Sequence, residues 1–77
     1  APVYCSAPGE TDIRFRYGGK VARADLYDSR GQRLLSSDKP ESADGNYRIT
    51  AGQLHHGIYL LRVVTASGTA HTLKFVR

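Results

Sequence analysis

The sequence is poor in the residues and patterns that build disulfides, helices and membrane spans. One cysteine, Cys5, among 77 residues excludes an internal disulfide bond and a metal cage made of thiolates alone. The central apolar run, residues 58–61, ends at Arg62 and is far too short to cross a bilayer. Apolar residues do not recur at helical spacing either, so strands must bury the apolar residues that are present.

We expect no secretory signal peptide within residues 1–5, because they contain neither a basic segment nor an apolar segment. The hydrophobic residues, 40% of the total, occur as short groups rich in Val, Ile, Leu and Tyr. Chains of this length leave room for one domain and bury about 60% of their unfolded surface. We therefore expect residues 1–77 to form a single domain of a longer protein.

Motifs for catalysis and phosphate binding are absent as well. No nucleophile elbow or oxyanion loop frames any of the candidate serines, which are Ser29, Ser36, Ser37 and Ser67. The glycines are isolated turn residues and do not form a phosphate-binding loop. We predict a protein that is not an enzyme and uses no cofactor.

The three histidines are the remaining candidates for chemistry. His55 and His56 are adjacent, and neighbouring side chains in extended or turn backbone point apart. A third ligand, His71, would have to come from a different hairpin. We interpret the histidine pair as part of a polar corner loop and predict no metal site.

The charge is positive, with a formal net charge of +4 and eight arginines. The arginines alternate with apolar residues in strand-like segments, as Arg14 and Arg16 do, which favours a solvated polar face over a dedicated anion site. The five tyrosines raise the possibility of stacking on single-stranded nucleic acid. Because the aromatic signature of an RNA-recognition sheet is missing, we predict no nucleic-acid partner.

What is present is a series of short strands separated by turn residues. Alternation with a period of two places Ile13, Phe15 and Tyr17 on one face, and Ala22, Ala24 and Leu26 on another. The polar segment 37–45 is predicted to be a loop that crosses between two sheets. The predicted strands are residues 3–6, 12–17, 20–28, 32–36, 46–50, 58–65 and 70–77. The fold prediction is therefore all-β, a single seven-stranded antiparallel immunoglobulin-like sandwich.

A corner precedes the longest apolar strand. Leu54 is an apolar anchor, Gly57 allows the backbone to turn, and Tyr59 follows two residues later. This spacing is typical of a tyrosine corner, in which the hydroxyl group bonds to backbone a few residues upstream. Leu61 stands where such domains often carry a second cysteine, so we expect packing alone to join the sheets.

Three segments, taken in order, resemble the C-terminal sorting domain of type IX secretion cargo, type A-like. They are residues 24–35 (ADLYDSRGQRLL), 54–63 (LHHGIYLLRV) and 74–77 (KFVR). The family opens with Val-Tyr-Pro-Asn-Pro, whereas Val3 and Tyr4 are followed here by Cys5 and Ser6, with the next proline at Pro8. The resemblance implies a seven-stranded immunoglobulin-like sandwich that acts as a secretion signal.

The resemblance also implies partners and a location. The parent protein would cross the periplasm of a Bacteroidetes-type bacterium and be recognised by the type IX outer-membrane translocon. In many members a sortase-like peptidase then removes the domain and joins the passenger to anionic lipopolysaccharide at the cell surface. The alternative is a retained accessory module that binds lipopolysaccharide or glycan through its arginine-rich faces.

Carried over by position, the family's residues divide into two sets. The motif and fold set is Asp28, Gly31, Leu54, Gly57, Tyr59, Leu61 and Val63. The recognition set is the terminal strand, with Lys74, Phe75, Val76 and Arg77. We expect that strand to lie at a sheet edge, where unpaired backbone is able to join a receptor strand.

Overall fold

A computed structural model describes residues 2–6, 10–38 and 40–77, and these residues form eight strands and no helix. The strands are β1 (Val3–Tyr4), β2 (Asp12–Arg16), β3 (Val21–Asp28), β4 (Arg33–Ser37), β5 (Glu41–Ala43), β6 (Asn46–Thr50), β7 (Ile58–Thr65) and β8 (Ala70–Val76). One sheet has the order β1-β2-β6-β5 and the other β4-β3-β7-β8, with every neighbouring pair antiparallel. The all-β prediction and the two-sheet prediction are confirmed.

The prediction of seven strands was wrong, because β5 lies inside the segment predicted to be a loop. Asp44 and Gly45 both have positive φ, 51° and 81°, and form a two-residue turn that pairs β5 with β6. The strand before this turn is only three residues long and carries no alternating apolar residues, so its pattern gave no signal. The segment still crosses between the sheets, since β4 and β5 belong to different ones. The turn predicted at Pro8 lies outside the described residues.

The core lies between the two sheets and takes residues from both. In the first sheet, β2 and β6 contribute two side chains each, and in the second sheet β7 contributes three. The buried hydrophobic residues are Ile13, Phe15, Ala24, Leu26, Tyr47, Ile49, Tyr59, Leu61, Val63 and Phe75. Alternate residues of β2, β6 and β7 are buried, as the period of two predicts.

Strand β3 departs from the predicted alternation. Its pairing with β7 shifts register between Val21 and Arg23, so Ala22 is exposed although the pattern predicted it inside. Such a shift adds a residue to one strand and changes which side chains share a face. Beyond the bulge Ala24 and Leu26 are buried as predicted, and Asp25 between them is buried as well, with 1% exposure.

No helix in the described part of the chain is long and apolar enough to cross a membrane.

Candidate functional site

The corner before β7 has the hydrogen bond that its spacing predicts. The Tyr59 hydroxyl donates to the carbonyl oxygen of His55 at 2.7 Å, and the ring of Tyr59 is 7% exposed. Leu54 is half-buried and packs against the core. Tyr59 therefore closes the segment 51–57 over the end of the sandwich, and His55 is held by its backbone while its imidazole faces solvent.

The chain bends at His56 and Gly57, where the sequence predicted a turn. Gly57 has a φ of 159°, and Gly52, earlier in the corner, has a φ of 70°. The N–H of Gly57 donates to the carbonyl of Arg77 at 3.1 Å, and the N–H of Arg77 donates to the carbonyl of Gly57 at 2.9 Å. Gly57 therefore extends the pairing of β7 with β8 by one residue.

The turn between β3 and β4 is built by Asp28 and Gly31. Asp28 Oδ1 accepts hydrogen bonds from the N–H groups of Arg30 and Gln32, at 2.9 and 3.0 Å. The N–H of Gly31 donates to the Asp28 carbonyl at 3.0 Å, and Gly31 has a φ of 85°, which disfavours side chains. Asp28 and Gly31, both members of the motif and fold set, thus form the framework of this turn.

The β3–β4 turn and the corner lie side by side. They line a shared cavity of about 500 Å³, which we name the corner groove. Asp28 and Leu34 come from the β3–β4 hairpin, and Leu54, His56 and Ile58 come from the corner and β7. Two segments that are far apart in sequence, residues 24–35 and 54–63, therefore meet at one end of the sandwich. The third, residues 74–77, reaches the same end through the pairing of Gly57 with Arg77.

The last strand separates the predicted recognition residues into two groups. Phe75 is 4% exposed, and its ring stacks on Tyr4 at 4.6 Å and on Tyr59 at 5.8 Å between centroids. Arg77 is half-buried, and its Nη2 donates to the backbone carbonyl of Asp12 at 2.9 Å. These contacts are internal to the fold.

Lys74 and Val76 point the other way, on the outer face of the sheet. Lys74 is exposed, Val76 is 70% exposed, and the residue paired with Val76, Ile58, is 43% exposed. Leu61 and Val63 of the motif set are fully buried in β7. Among the predicted residues, Lys74 and Val76 are thus the pair that a partner reaches without disturbing the core.

A family model described as "Secretion system C-terminal sorting domain" matches residues 7–76. The chain belongs to that family. The assignment confirms the resemblance and makes this sorting domain a C-terminal signal of type IX secretion, which implies export to the cell surface or the extracellular space. The domains of the family are non-catalytic.

The fold of the sorting domain is also similar to that in the crystal structure of CopC from Methylosinus trichosporium OB3b. The TM-score is 0.59 at 17% identity, over 99% of this chain and 90% of that one. At this identity the likeness concerns the fold alone. A search of curated proteins found no match.

A second tyrosine of the sorting domain has a role that the sequence did not reveal. The Tyr47 hydroxyl donates to the Gly19 carbonyl at 2.7 Å and accepts from the Val21 N–H at 3.3 Å. Its ring stacks on Phe15, its partner in β2, at 5.2 Å. Tyr47 therefore links the first sheet to the backbone that leads into β3. The predicted strand 46–50 includes Tyr47 but held no signal for its hydroxyl partners.

The histidines of the sorting domain do not converge. His55 and His56 lie at the corner, whereas His71 pairs with Val63 on β7 and packs against Tyr17 at 5.8 Å between ring centroids. Within residues 2–6, 10–38 and 40–77, no group of three or more His, Cys, Asp or Glu side chains is placed to hold a metal ion. The thiol of Cys5 is free and half-buried.

We expect Tyr59→Phe to lower the free energy of unfolding by about 1 kcal/mol, because one hydrogen bond to the His55 carbonyl is lost while the ring remains. Urea unfolding followed by circular dichroism measures the change. Tyr27→Phe, on a half-buried ring in β3, is the matched control and is expected to have a smaller effect. Equal effects of the two substitutions would contradict the importance of the corner hydrogen bond.

Asp25 is a buried carboxylate on the outer face of the second sheet. Arg23 Nε donates to Asp25 Oδ1 at 3.0 Å, and Arg62 is its cross-strand partner on β7. Burial raises the pKa of the Asp25 carboxyl, but the neighbouring Ser36 and Arg23 outweigh burial and lower this pKa below its ordinary value. The same contact raises the pKa of the Arg23 guanidinium.

The lowered pKa of Asp25 predicts a loss of stability in acid. The contribution of the Asp25 carboxylate to the free energy of unfolding is complete above the ordinary aspartate pKa of about 3.9. It disappears as the pH falls through the lower pKa that Asp25 has in the folded state. We expect Asp25→Asn to lower the urea midpoint of unfolding at neutral pH and to make this midpoint decrease less as the pH is lowered. Asp38→Asn, at an exposed position, is the control and should leave the decrease of the midpoint in acid unchanged. The same decrease in Asp25→Asn as in the unsubstituted domain would contradict the prediction.

Proposed function

We propose that this sorting domain is a non-catalytic secretion signal that directs its parent protein through the type IX outer-membrane translocon. The observation that supports the proposal is the family match over residues 7–76, nearly the whole chain. The meeting of residues 24–35, 54–63 and 74–77 at one end of the sandwich adds to it. A receptor that binds one end of a small domain needs only a few exposed side chains there to recognise it.

The proposed recognition surface is the outer side of β8 together with its neighbour on β7. Lys74 supplies a charge, and Val76 with Ile58 supplies an exposed apolar pair. Protein interfaces usually have an apolar centre and a polar rim, and Val76 with Ile58 would supply the centre and Lys74 the rim. Phe75 and Arg77 support this surface from within and are not themselves proposed to contact the translocon.

The proposal extends to the route and the processing. Residues 1–77 would form one domain, of the immunoglobulin-like class, at the end of a longer protein. The parent protein would cross the periplasm of a Bacteroidetes-type bacterium and reach the outer-membrane surface. A sortase-like outer-membrane protein would then remove the domain and join the passenger to anionic lipopolysaccharide.

The experiment is a fusion of the domain to the C-terminus of a periplasmic reporter in a host with a type IX system. We expect the reporter to appear outside the outer membrane, and to stay in the periplasm when the domain is omitted or the translocon is deleted. Intact mass of the exported reporter distinguishes removal of the domain from retention. Periplasmic retention of the complete fusion in the competent host would refute the proposal.

A retained module that binds lipopolysaccharide is the second candidate. Arg14 and Arg48 are direct cross-strand partners on the outer face of the first sheet, which concentrates positive charge there. However, Arg14 Nε lies 2.7 Å from Glu10 and Arg48 Nε lies 3.8 Å from Asp12, so part of that charge is neutralised. Binding to anionic lipopolysaccharide that is lost in moderate salt and on Arg14→Ala with Arg16→Ala would favour this candidate. No binding at low salt would dispose of it.

A further inference from the structure

The four edge strands of the sandwich differ in length and regularity. Strand β1 has two residues, β5 has three and β4 has five, and the pairing of β4 with β3 includes a register shift between Leu26 and Tyr27. Short strands and bulges are the usual means by which proteins prevent another strand from joining a sheet. Strand β8 has seven residues, contains no proline, and keeps one register with β7 throughout. It is the longest and most regular edge among the described strands.

The hydrogen bonds at both ends of β8 establish which backbone groups face its open edge. At the C-terminal end of β8, the N–H groups of Gly57 and Arg77 each donate to the carbonyl of the other residue. At the N-terminal end, the N–H of Thr65 donates to the Thr69 carbonyl. Antiparallel pairs alternate, so residues 71, 73, 75 and 77 bond to β7. The N–H and C=O groups of the residues between them point away from β7 to the edge. Those residues are Ala70, Thr72, Lys74 and Val76.

The side chains of the same four residues are all exposed on the outer face of the sheet. Val76 and its cross-strand partner Ile58 form an apolar pair beside the positive charge of Lys74, and Arg62 adds a second positive charge opposite Thr72. Neither β7 nor β8 contains an acidic residue. A strand added here would thus meet positive charge next to an aliphatic surface.

We propose that the open edge of β8 accepts an extended segment of a protein of the secretion machinery as a fifth strand. The segment would carry an acidic residue opposite Lys74 and an apolar residue, two positions along, opposite Val76, since cross-strand pairs of these kinds stabilise a sheet. This inference rests on the proposed function. A second copy of the chain is a poorer occupant, because a single lysine in the middle of an edge disfavours pairing with itself.

Proline substitution at Thr72 tests the role of the free backbone. The N–H of Thr72 faces the edge, so Thr72→Pro removes a donor for an added strand without removing a hydrogen bond to β7. Thr72→Ala keeps that donor and is the matched control. In the reporter fusion, we expect Thr72→Pro to reduce the exported fraction about tenfold, whereas Thr72→Ala should stay within about twofold of the unsubstituted domain. Circular dichroism of the isolated domains checks that both variants are folded.

The outcomes separate this inference from the proposed function. If folded Thr72→Pro is exported as well as Thr72→Ala, strand addition is overturned while the sorting function stands. If the unsubstituted domain does not export the reporter, the proposed function itself fails. Concentration-dependent dimers of the unsubstituted domain that Thr72→Pro abolishes would also overturn the inference, since the edge would then be occupied by a second copy.

A peptide experiment on the unsubstituted domain covers the case in which Thr72→Pro does not fold. The probe is the synthetic peptide acetyl-Thr-Val-Thr-Glu-Thr-Val-Thr-amide at millimolar concentration, which places a valine opposite Val76 in either strand direction when its glutamate lies opposite Lys74. The readout is amide hydrogen exchange at Thr72, Lys74 and Val76. We expect exchange at these amides to slow about tenfold. Because N–H groups alternate in direction along a strand, N-methylation of one alternate set of peptide nitrogens should abolish the protection and methylation of the other set should preserve it. If the peptide does not slow exchange at these amides, or if N-methylation of either set of peptide nitrogens has the same effect, the inference is overturned.

Discussion

Phe75→Ala is expected to unfold the domain. The ring is 4% exposed and stacks on Tyr4 from the first sheet and on Tyr59 from the second, so its removal leaves a cavity where the sheets meet. Large-to-small substitutions of buried aromatic rings lower the free energy of unfolding by about 3–5 kcal/mol. A core of this size supplies roughly the same amount in total. Thermal unfolding by circular dichroism should show little or no folded Phe75→Ala at room temperature.

The control for this substitution is the next residue. Val76→Ala removes a side chain that is 70% exposed, and we expect its melting temperature to stay close to that of the unsubstituted domain. Phe75 and Val76 both lie in the predicted recognition set. Comparing Phe75→Ala with Val76→Ala therefore distinguishes a residue that stabilises the fold from a residue that is available for recognition. A Phe75→Ala variant that melts at the same temperature as Val76→Ala would show that Phe75 does not support the core.

Tyr47→Phe is expected to cost about 2 kcal/mol, more than Tyr59→Phe, because the Tyr47 hydroxyl makes two hydrogen bonds and that of Tyr59 makes one. The loss leaves the Gly19 carbonyl and the Val21 N–H without this partner in a half-buried connection. Urea unfolding of the two variants under identical conditions measures the difference. An effect of Tyr47→Phe no larger than that of Tyr59→Phe would mean that water replaces both bonds.

The features that the sequence predicted well are those with a strong local pattern. Alternation in β2 identified Ile13 and Phe15 as buried, since one face of the strand packs against the opposite sheet. The spacing of Leu54 and Tyr59 identified the corner, because the hydroxyl is able to reach only backbone a few residues upstream. Asp28 and Gly31, which the resemblance assigned to the motif and fold set, build the β3–β4 turn through side-chain bonding and positive φ.

The features that sequence reasoning missed depend on contacts between distant segments. Strand β5 exists because it pairs with β6, and nothing within its three residues indicates that pairing. The two hydrogen bonds between Gly57 and Arg77 join residues that are twenty positions apart, and nothing next to Gly57 in the sequence indicates them. The burial of Asp25 depends on Arg23, Ser36 and Arg62, which three different strands bring together.

The structure also revises how the terminal strand is divided between stability and recognition. Deleting residues 74–77 would remove Phe75 and the bonds of Arg77 together with the exposed residues, so a loss of secretion would not distinguish unfolding from lost recognition. The alternating faces of β8 provide the remedy. Lys74 and Val76 can be changed while the inward residues stay in place.

Recognition through the outer face of β8 is therefore tested by the double variant Lys74→Glu with Val76→Ser, fused to a periplasmic reporter in a type IX-competent host. The matched control is Lys20→Glu with Thr50→Ser, which makes the same charge change at exposed positions outside the proposed surface. The measurement is the exported fraction of the reporter, with circular dichroism of both domains. We expect both variants to fold and only the control to be exported. Export of a folded Lys74→Glu, Val76→Ser domain at the level of the control would contradict recognition through this face.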